Sequence, residues 1–269
     1  MPPGDMIPLS PQDPFTFACN PGVTCFNQCC RDLDHFLTPY DVLRLKRRLG
    51  LRSGEFLQIF TSRHIGPESG LPVVTLKPRG GAQQRCPFVT PQGCSVYPDR
   101  PAACRTYPLV RVVARPREGG QISERFFLLK EPHCRGHQQD RRQTVREWLA
   151  DQDLGAYNRM NDLLMALISL KRRLAPGPLP VSLQGLFYHA CYDLDAFRTQ
   201  LRKSLPSPAA ANASIEAGDF AAAREQLGLA RGHLDVAGCG SGPLVIELDG
   251  LSRTLDVRVE ALKRLEQFQ

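Results

Sequence analysis

No apolar run in the sequence approaches the roughly 20 residues of a membrane-spanning helix. The opening stretch, MPPGDMIPLSPQDPF, has neither the basic nor the apolar region of an export signal, so the expected compartment is the cytoplasm, where thiols stay reduced. G-x-S-x-G, P-loop, G-x-G-x-x-G and H-E-x-x-H motifs are all missing, which removes the enzyme classes that depend on them. Paired C-x2-C knuckles are absent, excluding a zinc ribbon, and so is the ferredoxin run C-x2-C-x2-C-x3-C-P. Cys25 and Cys29 have the first interval of a radical-SAM C-x3-C-x2-C motif, but position 32 is Asp.

Charge is unbalanced, at a formal net +7 over 269 residues. The basic residues fall in short separated groups, RLKRR (44–48), RPR (115–117), RR (141–142) and KRR (171–173), and aromatics do not interleave with them. A stacking platform for nucleic acid is therefore not expected. Hydrophobic content of 42% and charged content of 23% are those of a soluble globular protein with a sizeable core.

Cysteine is in excess. Of ten, eight lie between Cys19 and Cys134, and only Cys191 and Cys239 lie beyond. A disulfide framework is not expected in a reducing compartment and in a chain long enough to bury a core. The clustered thiols sit in polar stretches rich in proline and glycine, unlike cysteines buried as small hydrophobes. Cys25, Cys29 and Cys30 form one group, and Cys86, Cys94 and Cys104 another in CPFVTPQGCSVYPDRPAACR. Thiolates are soft ligands suited to zinc or an iron–sulfur cluster, and a centre shared between the groups would staple the loops together. Neighbouring side chains diverge, so one of Cys29 and Cys30 is expected to ligate while the other faces a second centre, a substrate or a hydrogen-bonding shell. Cys19 and Cys134 are further candidate ligands, with His133 and His137 ranked below them. Arg31 and Arg105 each follow a cysteine and are candidates to offset the charge of a thiolate centre.

The pattern along the chain is α+β. A proline-rich lead (1–18) precedes a cysteine-cluster domain (19–140), a helical extension (141–205) and a helical C-terminal region (206–269). TPYDVLRLKRRLG reads as a helix with Thr38 as cap, Pro39 at the first position, Asp41 completing a capping box and Gly50 as stop. SGEFLQIFTSRHI reads as a second short helix capped by Ser53. Strands are expected at 71–78, 107–114 and 125–131, the last two as a hairpin across REGGQ. Thr144 and Glu147 begin another helix. GAYNRMNDLLMALISLKRRL is a long amphipathic one, and SLQGLFYHACYDLDAFRTQLRKSL follows the PGPLP break as one further helix. Cys191 lies at the spacing of an apolar face and is expected in a core. GCGSGP, with Cys239, reads as a linker before a final helix.

C-x3-CCR, then LTPYDVLRL, then CPF with GCSVYPDRPAACR resembles the YkgJ-type cysteine-cluster family, also described as a zinc- or iron-chelating domain. The resemblance spans about residues 15–165. It implies a bound metal, as an iron–sulfur cluster or zinc. A relative with a similar cysteine domain, the flagellin lysine N-methylase, makes SAM-linked methyl transfer to protein lysine a candidate activity. The reading is thus a [4Fe–4S] metalloprotein supporting redox or methyl-transfer chemistry, the alternative being a non-catalytic zinc module. A protein partner or substrate would be met through the C-terminal helices. Neither nucleic acid nor a membrane is expected as a partner.

Overall fold

The computed structural model describes residues 5–31, 35–114 and 123–204. The expected C-terminal helix, the GCGSGP linker with Cys239, and the REGGQ turn lie outside these residues. In chain order the elements are strands β1 (Asp5–Leu9), β2 (Pro14–Thr16) and β3 (Phe36–Leu37), helices α1 (Pro39–Arg48) and α2 (Ser53–Phe60), then strands β4 (Thr61–Ile65), β5 (Pro72–Leu76), β6 (Val89–Thr90) and β7 (Gly93–Cys94). Helix α3 (Ala102–Thr106), strands β8 (Leu109–Ala114), β9 (Ser123–Lys130) and β10 (Arg142–Thr144), and helices α4 (Val145–Asp151), α5 (Leu154–Leu174), α6 (Val181–Cys191) and α7 (Leu194–Ser204) follow. The chain is α+β. Its described residues divide into two compact units, 5–64 with 73–162, and 65–72 with 163–204.

Small antiparallel sheets organise the first unit. β8 and β9 pair from Leu109↔Leu128 to Ala114↔Ser123, and β1 adds to the other edge of β9 from Asp5↔Lys130 to Leu9↔Phe126. Residues 1–18 thus contribute strand β1 here and β2, which pairs with β10 at Phe15↔Gln143. Alternation along β9 sends Phe126 and Leu128 inward to a core with Phe15, Phe17, Leu109, Val145 and Trp148. The ring of Phe17 meets Trp148 edge-on at 5.6 Å and Tyr107 at 5.9 Å. Val42 and Leu45 of α1, Phe56 of α2, Val74 of β5 and Tyr157 of α5 are also buried, and the Tyr157 ring meets that of Tyr40 on α1 edge-on at 4.9 Å.

The capping chemistry is as read. The Thr38 hydroxyl accepts the Asp41 N–H while Asp41 accepts from Thr38, and Thr144 and Glu147 repeat the arrangement at α4. Two readings need correction. The second helix stops at Phe60, because Thr61 turns into strand β4 and its hydroxyl closes the last turn on the Leu57 carbonyl; Ser53 is the first helical residue, not the cap. The helix after PGPLP is two helices. At Asp193 the side chain accepts the Ala196 N–H and the backbone carbonyl accepts the Phe197 N–H, starting α7 anew.

The second unit is built on the C-terminal part of α5 with α6 and α7. The loop carrying Ser69 and Gly70 is tied by Lys171, whose Nζ donates to the carbonyls of Ser69 and Gly177, and by the Leu179 N–H on the Gly70 carbonyl. Cys191 is buried here at 2% exposure, as core packing requires.

Candidate metal centre

Eight cysteines, Cys19, Cys25, Cys29, Cys30, Cys86, Cys94, Cys104 and Cys134, line one cavity of about 890 Å³ in the first unit. Its apolar wall is the face of the core, Phe17, Tyr107 and Trp148, so the packing that holds the sheet also shapes the cavity.

Short, specific bonds bring the two groups of cysteines together. The Cys86 N–H donates to the Cys30 carbonyl at 2.8 Å. Asn27, held in the left-handed region at φ 68°, sends its amide to the Thr90 carbonyl at 2.9 Å and so ties the first loop to β6. The antiparallel bridges Arg31↔Arg85 and Arg79↔Arg85 continue this seam. Cys104 stands on α3, whose first N–H, that of Ala102, is accepted by the buried carboxylate of Asp41 at 2.8 Å. Cys134 follows β9, and the next N–H, that of Arg135, donates to the Cys25 sulfur at 3.1 Å.

The thiols are provided with donors. Backbone N–H groups of Phe88 and Val89 favour the thiolate of Cys86, that of Val96 the thiolate of Cys94, and that of Gly136 the thiolate of Cys134. His35 Nε2 lies 3.2 Å from the Cys104 sulfur. Burial and the neighbouring thiols Cys86, Cys94 and Cys29 nevertheless push the Cys104 thiol well up, and burial raises Cys86, Cys94 and Cys134 as well. The adjacent pair splits: a hydrogen bond from Cys30 holds Cys29 down at about 7 and drives Cys30 strongly upward. So many thiols in one partly dehydrated space resist ionising together. A soft cation removes that conflict, and the donor set fits zinc or iron.

Among the described residues, no three His, Cys, Asp or Glu side chains converge closely enough to hold an ion. The thiols surround a space instead of a point. Tetrahedral zinc, with Zn–S near 2.3 Å, would draw its sulfurs to within about 3.8 Å of one another.

The arginines have distinct positions. Arg31 lines the cavity at an exposed site. Arg105 is 5% exposed and donates to the carbonyls of Arg100, Gln152 and Pro98, with its guanidinium over the Tyr157 ring at 4.6 Å; it is not among the lining residues. Arg100, buried and bonded to Gln152, does line the cavity. Tyr107, His35 and Asp41 carry no signal of a site in the sequence, whereas Arg100 stands inside the second cysteine group with the arginines that could offset a thiolate centre. All but Asp41 line the cavity, and Tyr107 and Arg100 flank Cys104 within RPAACRTYP. His133 also lines the cavity, whereas His137 bonds the Leu129 carbonyl and packs on Phe17.

No helix among the described residues is long and apolar enough to cross a membrane. No curated protein and no solved structure is significantly similar to the chain. Residues 18–135, which contain all eight cavity cysteines, match the family model CxxCxxCC, "Putative zinc- or iron-chelating domain". The cysteine-bearing segment is thus similar to cysteine-cluster domains that are described as zinc- or iron-chelating.

Proposed function

We propose that the chain is an iron–sulfur protein. Its cluster is held by Cys86, Cys94, Cys104 and one thiol of the Cys29–Cys30 pair, and supports redox chemistry or SAM-linked methyl transfer on a substrate admitted to the cavity. The observation that carries this reading is the cavity itself. Structural zinc sites are closed, four ligands around one ion with no space beside it. Eight thiols around about 890 Å³ leave room beyond a metal centre, and that volume is in the range of small-molecule and cofactor sites. Amide N–H groups aimed at the sulfurs are the contacts by which a protein tunes a cluster's potential. Bound there, a cluster would supply electrons or a Lewis-acidic iron. The chain's own residues would fix the thiolates, exclude bulk water through Phe17, Tyr107 and Trp148, and place the Arg31 and Arg100 charges nearby.

Anaerobic purification followed by iron and sulfide analysis with visible and EPR spectra tests the cluster. Calorimetric titration of the holoprotein with SAM tests the methyl-transfer branch. A broad brown absorption with matched iron and sulfide is expected. Colourless protein holding only zinc would replace this reading with the structural module.

A further inference from the structure

Three arginines stand in a row beside the cavity. Arg31 pairs with Arg85, and Arg85 with Arg79, as antiparallel bridges, and residues directly opposite one another put their side chains on one face. Arg79 and Arg85 exchange both backbone hydrogen bonds, at 2.7 and 2.8 Å, which is the wider kind of pair, with Cα atoms about 5.5 Å apart. Arg31 and Arg85 form the closer kind, about 4.5 Å apart, because the bond beside them runs from the Cys86 N–H to the Cys30 carbonyl. All three arginines are exposed. Among the described residues, none of their guanidinium groups pairs with a carboxylate. Like charges set directly opposite one another oppose folding, and an anion lying across the row removes that repulsion.

The row is tied to the cavity at both ends. Cys30 and Cys86, the chain neighbours of Arg31 and Arg85, line the cavity, and so does Arg31 itself. The Arg79 guanidinium lies over the Phe60 ring at 5.2 Å, and Phe60 packs at 5.1 Å on Phe88, another lining residue. Stacking holds the outer arginine in place and leaves its in-plane N–H donors free.

We infer that the row Arg31, Arg85, Arg79 binds the di- or triphosphate group of a small-molecule ligand whose remaining part enters the cavity. This names the substrate class of the proposed function, and it rests on that reading for the reaction, though not for the binding. Charge and spacing select the class. A single carboxylate neutralises one guanidinium and leaves the other two opposed. Linked phosphoryl groups bring several negative charges within the row's span of about 10 Å and offer paired oxygens to planar guanidinium forks. Carboxylates on one face of an extended acidic peptide stand about 7 Å apart, so a peptide brings no more than two to the row.

The test uses the full chain purified anaerobically, with iron measured in every sample. Calorimetric titration with inorganic pyrophosphate and with inorganic triphosphate should show one site per chain that weakens as salt is added. Arg85→Gln, which removes the central charge, and Arg31→Gln should each weaken binding about tenfold or more while iron is kept. Arg48→Gln, an equal loss of charge at an exposed position on α1, should leave binding unchanged. Pyrophosphate should raise the melting temperature of the wild type and not that of Arg85→Gln. Iron-loaded wild type that binds neither anion, or binding unchanged in both Arg85→Gln and Arg31→Gln, would overturn the site and leave the cluster reading intact. Hexaglutamate held more tightly than triphosphate by the same arginines would overturn the phosphate assignment in favour of an acidic protein segment. Iron-free wild type that binds pyrophosphate through Arg85 would sink the cluster reading and support the anion site.

Discussion

Asp41 Oδ1 accepts the backbone N–H of Ala102 at 2.8 Å, while Oδ2 of the same carboxylate accepts both the backbone N–H and the hydroxyl of Thr38. One buried side chain thus caps its own helix and holds the first turn of the helix that carries Cys104. Asp41→Ala leaves two N–H groups without acceptors and should cost about 3 kcal/mol in urea unfolding. Thr38→Ala, which removes only the cap, should cost about 1 kcal/mol. Equal losses in the two variants would show that the Ala102 bond contributes nothing.

Gly136→Ala places a methyl group against Phe17 and the Ala18 carbonyl. The Phe17 ring is packed on three sides by Trp148, Tyr107 and His137, so the loop must move instead. A loss of about 1–3 kcal/mol is expected, with lower metal content in the same sample. Unchanged thermal unfolding and metal content would contradict the close approach.

His137 should make stability depend on pH. Burial lowers its basicity, and outweighs the opposite effect of the Leu129 carbonyl that accepts from Nε2. The unfolded chain takes up that proton near pH 6.5 and the folded chain resists it. Stability from this group is therefore full above about 6.5 and falls as the pH drops toward the lower folded value. His137→Gln, which keeps a donor for Leu129, should flatten the wild type's fall in melting temperature between pH 7.5 and 5.5. Parallel curves would remove His137 from the account.

Chelation should act on one part of the chain. The loops bearing the eight cysteines have few regular elements of their own, and their contacts converge on the cavity. Stripping the metal is expected to open the 18–135 segment to limited proteolysis while fragments containing α5, α6 and α7 persist. Cleavage unchanged after verified metal removal would show that the loops hold without it.

Local chemistry was legible in the sequence. Both capping boxes, the β8–β9 pair and the assignment of Cys191 to a core follow from spacings of a few residues. Non-local chemistry was not. That Cys30 and Cys86 share a backbone hydrogen bond, or that Asn27 reaches Thr90, depends on chain reversals that no short window records. His133 and His137 look alike in EPHCRGH, and only the Leu129 carbonyl and the Phe17 ring, brought by β9 and the N-terminal segment, set them apart. The break at Asp193 was missed because the flanking residues keep a helical rhythm, and one aspartate acting as a cap outweighs it.

The central claim is that the cavity thiols, and not cysteines in general, hold the metal. Iron, sulfide and zinc per chain in anaerobically purified Cys86→Ser, Cys104→Ser and Cys191→Ser measure this most directly. Cys86→Ser and Cys104→Ser should lose most of their iron. Cys191→Ser should keep the full wild-type complement, at a stability cost of about 1 kcal/mol. Full iron in both Cys86→Ser and Cys104→Ser, or metal loss in a folded Cys191→Ser, would place the centre elsewhere and contradict the account.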